Sequence, residues 1–253
     1  MNIVRIRNLE IGTGVPKICV PIVGKTADEI IQAAKEIRKY PIDLVEWRAD
    51  WYEKLSDAEN LRQMLLDLRA GLGELPLLFT IRTKDEGGEA VVSASEYQKL
   101  NLVAAESDCA DLIDVEVFKK EICPEQLVET LHEAGVKIVG SNHDFDKTPK
   151  KEELIRRLCH MQDCGMDILK IAVMPHDNKD VLELLGATEE MVREYACQPV
   201  VTMSMGGTGL ISRICGETFG SAITFGAIGK VSAPGQLEAV KLREMLEIIH
   251  QNR

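Results

Sequence analysis

The sequence lacks the features of a protein that works on nucleic acid or at a membrane. Basic residues are not in excess, because 30 lysines and arginines stand against 41 acidic residues, for a net charge of −11. Such a surface does not attract the phosphate backbone or anionic lipid headgroups. No apolar run approaches the ~18 residues that span a bilayer. We therefore expect no nucleic acid and no membrane as partners, although a local arginine cluster could still bind a small anion.

Paired cysteines and an N-terminal apolar segment are also missing. The seven cysteines form no CxxC pair and are odd in number. Residues 1–7 contain no long apolar core, so we do not expect a signal peptide. These features predict reduced thiols in a cytoplasmic protein rather than a disulfide framework. His160 and Cys164 have the spacing of metal ligands on a helix, but no further ligands of matching spacing follow, so no metal site is expected.

A glycine-rich dinucleotide turn after an early strand is absent too, which argues against a doubly wound nucleotide-binding sheet. Instead, short apolar runs alternate with amphipathic stretches from residue 17 onward. The segment 1–14 has the alternation of a small β-hairpin. Eight strands, each followed by a helix, predict an α/β fold, the (β/α)8 TIM barrel. We expect residues 1–253 to form a single such domain, with the hairpin closing one end. The predicted strands lie at 18–23, 43–48, 77–82, 111–117, 136–141, 167–173, 198–204 and 221–226.

Helix starts are marked by local signals. Thr26 and Ser93 each precede a glutamate by three residues, as in a capping box. Pro149 is expected at the first position of another helix, where proline is favoured. No low-complexity stretch or linker interrupts the pattern.

Lys170 stands in the middle of the apolar run 167–173. Nearly continuous hydrophobicity over this length is typical of a parallel strand buried on both faces. An ammonium there is costly unless it is paired or loses its proton. Desolvation lowers the pKa of a lysine, and a neutral lysine can form a Schiff base with a ketone or aldehyde. Alternatively, the lysine lies near the strand end and extends into solvent. The run alone is compatible with both interpretations.

Charged residues gather near the ends of several predicted strands. In a (β/α)8 barrel, catalytic groups come from the C-terminal ends of the strands and the following loops. Strand alternation puts each of these residues on the face that points into the barrel. Strand ends are also wet and tolerate charge, so a purely structural interpretation remains open. The residues concerned are Glu46, Arg48, Arg82, Asp114, Glu116, His143 and Lys170.

Two later segments could bind an anion. The segment 203–213 is rich in glycine and could form an anion-binding backbone nest after its strand, although tight turns use glycine without any ligand. Arg213 is the more specific candidate for binding an anion, because a guanidinium can hold a carboxylate through two hydrogen bonds. The segment 232–236 is small and polar, as in a mobile lid or in any surface loop.

Taken together, the order and spacing of these pieces resemble the type I 3-dehydroquinate dehydratases, the Schiff-base-forming enzymes of the shikimate pathway. The resemblance covers nearly the whole chain. Pro21 is one departure, because some members carry a serine there that can touch ligand, and we assign it no polar contact. The matching pieces are 46–48, 114–117, 138–144, the run around Lys170, 204–213, 224–226 and 232–236.

The resemblance implies a (β/α)8 barrel with an N-terminal hairpin, a homodimer, and no metal or organic cofactor. It implies that water is eliminated from 3-dehydroquinate to give 3-dehydroshikimate. Lys170 would form the imine, His143 would act as general acid and base, and Glu86 would orient His143. The remaining implied roles concern substrate: Arg213 with Ser232 and Gln236 for the carboxylate, and Glu46, Arg48 and Arg82 for the ring hydroxyls and the lysine environment.

In this scheme the charges of Arg48 and Arg82 would help to keep Lys170 unprotonated for attack on the ketone. Each role has an alternative. His143 could cap a loop, and Glu86 lies in a charged loop that could simply be solvated. At the level of function, a class I aldolase shares the barrel and the lysine, and a barrel could also bind a carboxylate without turnover.

Overall fold

The computed structural model describes residues 2–229 and 235–253, in which strands and helices alternate as predicted. The hairpin consists of β1 (Val4–Ile6) and β2 (Leu9–Ile11), paired antiparallel. The strands of the main sheet are β3 (Lys17–Ile22), β4 (Leu44–Arg48), β5 (Leu77–Thr80), β6 (Leu112–Glu116), β7 (Lys137–Asp144), β8 (Ile168–Val173), β9 (Val200–Ser204), β10 (Ile223–Ala227) and β11 (Leu237–Glu238). The helices are α1 (Ala27–Ile37), α2 (Ala58–Leu72), α3 (Ala94–Ala105), α4 (Pro124–Glu133), α5 (Lys151–Asp163), α6 (Asn178–Glu190), α7 (Gly216–Phe219) and α8 (Ala239–Gln251).

The main sheet is parallel and curls into a barrel. Its strand order is β11-β10-β3-β4-β5-β6-β7-β8-β9, with each strand beside its sequence neighbour from β3 to β9. The barrel closes between β9 and the start of β10, at a parallel bridge between Val200 and Ser221. The Ala222 N–H also donates to the Val200 carbonyl, 2.8 Å away. The predicted (β/α)8 barrel with an N-terminal hairpin is therefore confirmed.

Two apolar layers hold the barrel together. The larger one lies between the sheet and the helices and includes Val45 and Trp47. The smaller one fills the inside of the barrel, with Leu44, Ile168 and Ile11 of the hairpin at the N-terminal ends of the strands, and it continues to the cavity wall at Met203, Met205 and Phe225. Alternation along each strand produces this division, because successive side chains point to opposite faces. The hairpin packs against the N-terminal end, and polar inward-facing residues are left to the C-terminal end.

The predicted helix starts are correct in two cases and wrong in one. Thr26 forms a full capping box with Glu29, and the Ser93 hydroxyl accepts from the Glu96 N–H. Pro149 does not occupy the first helical position, because Lys150 remains extended at ψ 152° and α5 begins at Lys151. The Lys151 N–H donates to the Glu183 carboxylate of α6 at 2.7 Å. A neighbouring helix thus supplies the cap, which the local sequence could not indicate.

Membrane-spanning segments are not found among the described helices, none of which is both long and apolar enough to cross a bilayer.

Candidate active site

A cavity of about 240 Å³ opens at the C-terminal ends of the barrel strands. Eight of the nine residues to which the resemblance assigned a role line it, and the ninth, Ser232, lies outside the described residues. The other wall is apolar and includes Met203, Met205 and Phe225. Residues that are distant in sequence therefore converge on one space. The eight are Glu46, Arg48, Arg82, Glu86, His143, Lys170, Arg213 and Gln236.

Lys170 points into the barrel from the middle of β8. Its Nζ lies 3.2 Å from Oδ2 of Asp114 and 3.5 Å from Oε1 of Glu46. The ring centroid of Phe225 is 4.8 Å away, which is within cation–π range. The residue is only 4% exposed, so the alternative in which the lysine extends into solvent is wrong. A single primary amine therefore sits at the floor of the cavity beside two acids.

The charges around Lys170 differ from the sequence expectation. Arg82 donates to Asp114 at 2.8 Å and to Glu116 at 2.9 Å. Arg48 forms two parallel hydrogen bonds with Asp50, at 2.7 and 2.8 Å. The arginines thus bind carboxylates, and the groups that contact the lysine are acidic. The charges of Arg48 and Arg82, which were expected to help keep Lys170 unprotonated, are paired with carboxylates, because each buried guanidinium needs an anionic partner of its own.

His143 and Glu86 form a close pair at the rim. Glu86 follows β5 in a short 3-10 turn, Lys84–Glu86, and His143 lies near the end of β7. Oε2 of Glu86 is 2.8 Å from Nδ1 of His143 and accepts its backbone N–H at 2.9 Å. With Nδ1 engaged by the carboxylate, Nε2 is the ring nitrogen left to serve a ligand. The solvated-loop alternative for Glu86 is wrong, since this residue is only 7% exposed.

Burial shifts the pKa of both members of this pair. Desolvation raises the pKa of Glu86 to about 8, against the opposing charge of Arg82. Desolvation, reinforced by the positive charges of Arg82, Lys170 and Arg48, holds the pKa of His143 well below its usual range. The imidazole is therefore neutral near neutral pH, as a group that accepts a proton must be.

Two glycines allow the turn that carries Glu86. A Cβ on Gly88 would lie 2.0 Å from the carbonyl oxygen of Arg82, and Gly87 adopts φ +77° against the ring of Phe145. The turn also folds back through the Gly88 N–H, which donates to the Thr83 carbonyl at 2.8 Å. Only glycine fits such a close approach. The loop is thereby held in the position that brings Glu86 to β7.

Arg213 also lines the cavity and lies at the end of the turn Leu210–Arg213. It is 1% exposed, and burial lowers its pKa to about 10. Nη1 donates to the Phe225 carbonyl at 3.3 Å, and the hydroxyl of Thr224 donates to the Arg213 carbonyl at 2.8 Å. A positive charge is thus held rigidly in the cavity wall, where it suits an anionic ligand.

A polar layer beneath the cavity carries residues to which the sequence assigned no role. Asp114 accepts from the Ser141 hydroxyl at 2.6 Å in addition to its contacts with Arg82 and Lys170. Glu116 accepts from the hydroxyl of Thr83 at 2.6 Å. Asp114 and Glu116 were visible as inward-facing acids, whereas Asp50 was missed. Asp50 could have been found as an acid two residues after Arg48, the last residue of β4.

The site offers no metal-binding constellation. Across residues 2–229 and 235–253, no group of three or more His, Cys, Asp or Glu side chains is arranged to hold a metal ion. The polar groups that line the cavity are an amine, an imidazole, guanidinium groups, an amide and the carboxyl groups of Glu46 and Glu86.

Comparison with known proteins identifies the family of the chain. The family model described as type I 3-dehydroquinase matches residues 18–253. The 3-dehydroquinate dehydratase of Clostridioides difficile is 48% identical over 249 residues, covering 98% of each chain. A crystal structure of the type I enzyme from Clostridium difficile, with covalently modified comenic acid, has a TM-score of 0.97 and 48% identity, covering 100% of this chain and 99% of that one. The 3-dehydroquinate dehydratase structure from Geobacillus kaustophilus has a TM-score of 0.95 and 39% identity, covering 99% and 97%. The chain therefore belongs to the type I 3-dehydroquinase family.

Proposed function

We propose that the chain eliminates water from 3-dehydroquinate to give 3-dehydroshikimate through an imine on Lys170. The observation that carries this assignment of residues is the buried amine of Lys170 at the floor of a cavity that also holds His143 and Arg213. The family match and the names of the relatives support the reaction itself.

The imine makes the first proton transfer feasible. A proton beside a ketone is too weakly acidic for an imidazole to remove quickly, whereas a protonated imine is a strong electron sink. Lys170 must be neutral to attack the ketone, and it becomes positive again once the imine is protonated. Asp114 and Glu46, at 3.2 and 3.5 Å, stabilise positive charge at that nitrogen. We assign these two carboxylates the role of stabilising the charged imine.

His143 serves as the general acid and base. It first assists loss of water from the carbinolamine, then removes the proton beside the imine, and then protonates the departing hydroxyl. Glu86 holds Nδ1 at 2.8 Å and thereby presents Nε2 to the substrate. Hydrolysis of the imine releases the product. In this scheme the same ring nitrogen takes up and gives back one proton.

The remaining residues bind and orient the substrate. Arg213 binds the ring carboxylate, and Gln236 and Ser232 assist it from the segment after β10. Glu46 and Arg48 bind ring hydroxyls. Arg82 acts on the environment of the lysine, because its guanidinium is already bound to Asp114 and Glu116.

Trapping with borohydride tests the imine directly. Wild-type protein incubated with 3-dehydroquinate and borohydride is expected to gain the mass of one reduced adduct, which peptide mapping assigns to Lys170. K170M is expected to show no adduct and no turnover, while an exposed lysine variant, K137M, behaves as wild type. An adduct on another lysine, or turnover by K170M, would overturn the scheme.

Ultraviolet absorbance, measured beside the trapping, separates the alternative functions. Dehydration produces a conjugated enone that absorbs in the ultraviolet, whereas an aldolase breaks a carbon–carbon bond and gives no such chromophore. A barrel that only binds a carboxylate would show saturable, Arg213-dependent binding without an adduct.

The assembly and location of the protein are part of the same proposal. We infer one barrel domain over residues 1–253 from the alternation of strands and helices, a homodimer from the resemblance to this family, and a cytoplasmic location from the odd number of cysteines without a CxxC pair. Light scattering after size-exclusion chromatography, with the mass of one chain as the contrary result, checks the dimer.

A further inference from the structure

A chain of hydrogen bonds leaves the active site and ends in the helix layer. Glu86 binds His143 through Oε2 and accepts the side-chain amide of Asn142 through Oε1, at 3.1 Å. The Oδ1 of Asn142 in turn accepts from Nη1 of Arg157 on α5, at 2.9 Å. Asn142 is 8% exposed and the Arg157 side chain 19%. A cation outside the barrel is thus linked to the acid–base pair inside it.

The two ends of this link fix the orientation of the Asn142 amide. A guanidinium can only donate hydrogen bonds, so the atom that faces Arg157 must be the amide oxygen. When Glu86 is ionised it can only accept, so the atom that faces it must then be the amide nitrogen, as the structure shows. Both neighbours demand the same orientation. Without Arg157, the amide would be free to turn its oxygen toward Glu86.

Arg157 is itself held in place on two sides. Its Nε donates to Glu153 one turn earlier on α5, at 2.7 Å. Its guanidinium lies 6.0 Å from the ring centroid of Phe118, in the segment after β6. The adjacent Arg156 also binds Glu153, at 2.7 and 2.8 Å, but through an exposed side chain. The two neighbouring arginines therefore share one carboxylate. Of these two, Arg157 is the one that donates to Asn142.

We propose that Asn142 and Arg157 are positioning residues that keep Glu86 as a hydrogen-bond acceptor for His143. This inference rests on the proposed role of His143 as general acid and base. Neither residue lines the cavity, so both act through Glu86 and not on the substrate. The chain of contacts gives helix α5 a part in catalysis that its place in the barrel does not suggest.

The charges around Glu86 determine the direction of the effect. Arg82 and the amide of Asn142 favour the carboxylate, whereas burial and the acids Glu116 and Asp114 oppose it. The other oxygen, Oε2, accepts the backbone N–H of His143 at 2.9 Å and lies 2.8 Å from its Nδ1. Turning the amide oxygen toward Glu86 removes one donor and favours its protonated form. A protonated Glu86 accepts from Nδ1 more weakly than a carboxylate does, so the imidazole is held less firmly in the orientation that directs Nε2 to the substrate.

The test compares R157M with R156M, which removes the neighbouring arginine and leaves the Asn142 contact intact. We expect R157M to lower kcat by roughly 10-fold, the scale for loss of a residue that orients a catalytic group. KM should remain unchanged, and the acid limb of the kcat profile should move to higher pH, because Glu86 then needs a higher pH to ionise. R157K should recover part of the rate, and R156M should match wild type. Thermal melting establishes that all variants are folded.

The contrary outcomes are distinct. If R157M matches R156M in kcat and in pH profile, the positioning role is refuted. A rise in KM at constant kcat would also refute it, since it would indicate an effect on substrate binding. Nitrogen NMR of the His143 ring reports the tautomer without any substrate, and R157M should alter it while R156M does not. If wild type itself fails to dehydrate 3-dehydroquinate, the proposed function fails, and the NMR comparison still decides the positioning role.

Discussion

The two ends of the barrel interior use the same strands for different purposes. At the N-terminal end the inward-facing side chains are aliphatic and pack against the hairpin. Two residues further along the same strands, the inward-facing side chains are charged and buried. Because the strand repeat is two residues, one face of each strand contributes to both layers. The pairs are Leu44 and Glu46 in β4, Leu112 and Asp114 in β6, and Ile168 and Lys170 in β8.

The physical cost differs greatly between these layers. Burying aliphatic side chains stabilises the fold in proportion to the apolar area removed from water. Burying charges is costly, and the attraction between partners only offsets that cost when geometry is good. Arg82 meets this condition by binding Asp114, Glu116 and Ser141 within 3.1 Å. One end of the barrel therefore supplies stability, and the other arranges charge for chemistry.

The largest effect is expected at the charged end, from H143A. Removing the imidazole should lower kcat by roughly 10²–10⁴-fold, the usual contribution of a general acid and base. The amine of Lys170 remains, so borohydride trapping should still give an adduct. Rates from enone absorbance and masses from spectrometry check both parts. H160A, which alters a histidine of α5 outside the cavity, is the control and should keep normal turnover. A normal rate in H143A would remove His143 from the mechanism.

The opposite result is expected at the apolar end, from I11A in the hairpin. Ile11 is fully buried, so its truncation should lower the free energy of unfolding by about 2–5 kcal/mol. Urea unfolding measures this loss, and turnover per folded molecule should be unchanged. I3A, at a position 39% exposed, is the control with little expected effect. A large fall in turnover by folded I11A would show that the two ends are coupled.

The two ends of the barrel also show which parts of the fold and of the site could be predicted from the sequence. The strand order and the inward face of Lys170 followed from a continuous apolar run and a two-residue repeat. The contact between Glu86 and His143 was expected only from the family resemblance and not from the pattern, because it joins positions 57 apart through a glycine turn whose path depends on Phe145 and the Arg82 backbone. Spacing alone also gave no indication that Arg157 of α5 reaches β7. Such contacts depend on how a helix packs on the barrel, and the hydrophobic pattern of the helix does not determine that packing.

A smaller effect is expected from T26A. Thr26 lies at the charged end of the barrel, but its position there does not by itself make it catalytic. Thr26 begins α1 directly after β3, at the same end of the barrel as the cavity, and its hydroxyl accepts from the Glu29 N–H. T26A should lower the free energy of unfolding by about 1 kcal/mol, as loss of an N-cap does. T26S keeps the hydroxyl and should restore stability. Turnover should be unchanged in both variants, because Thr26 does not line the cavity. If T26A reduced kcat while T26S did not, function at this end would extend beyond the cavity walls into the caps of the surrounding helices.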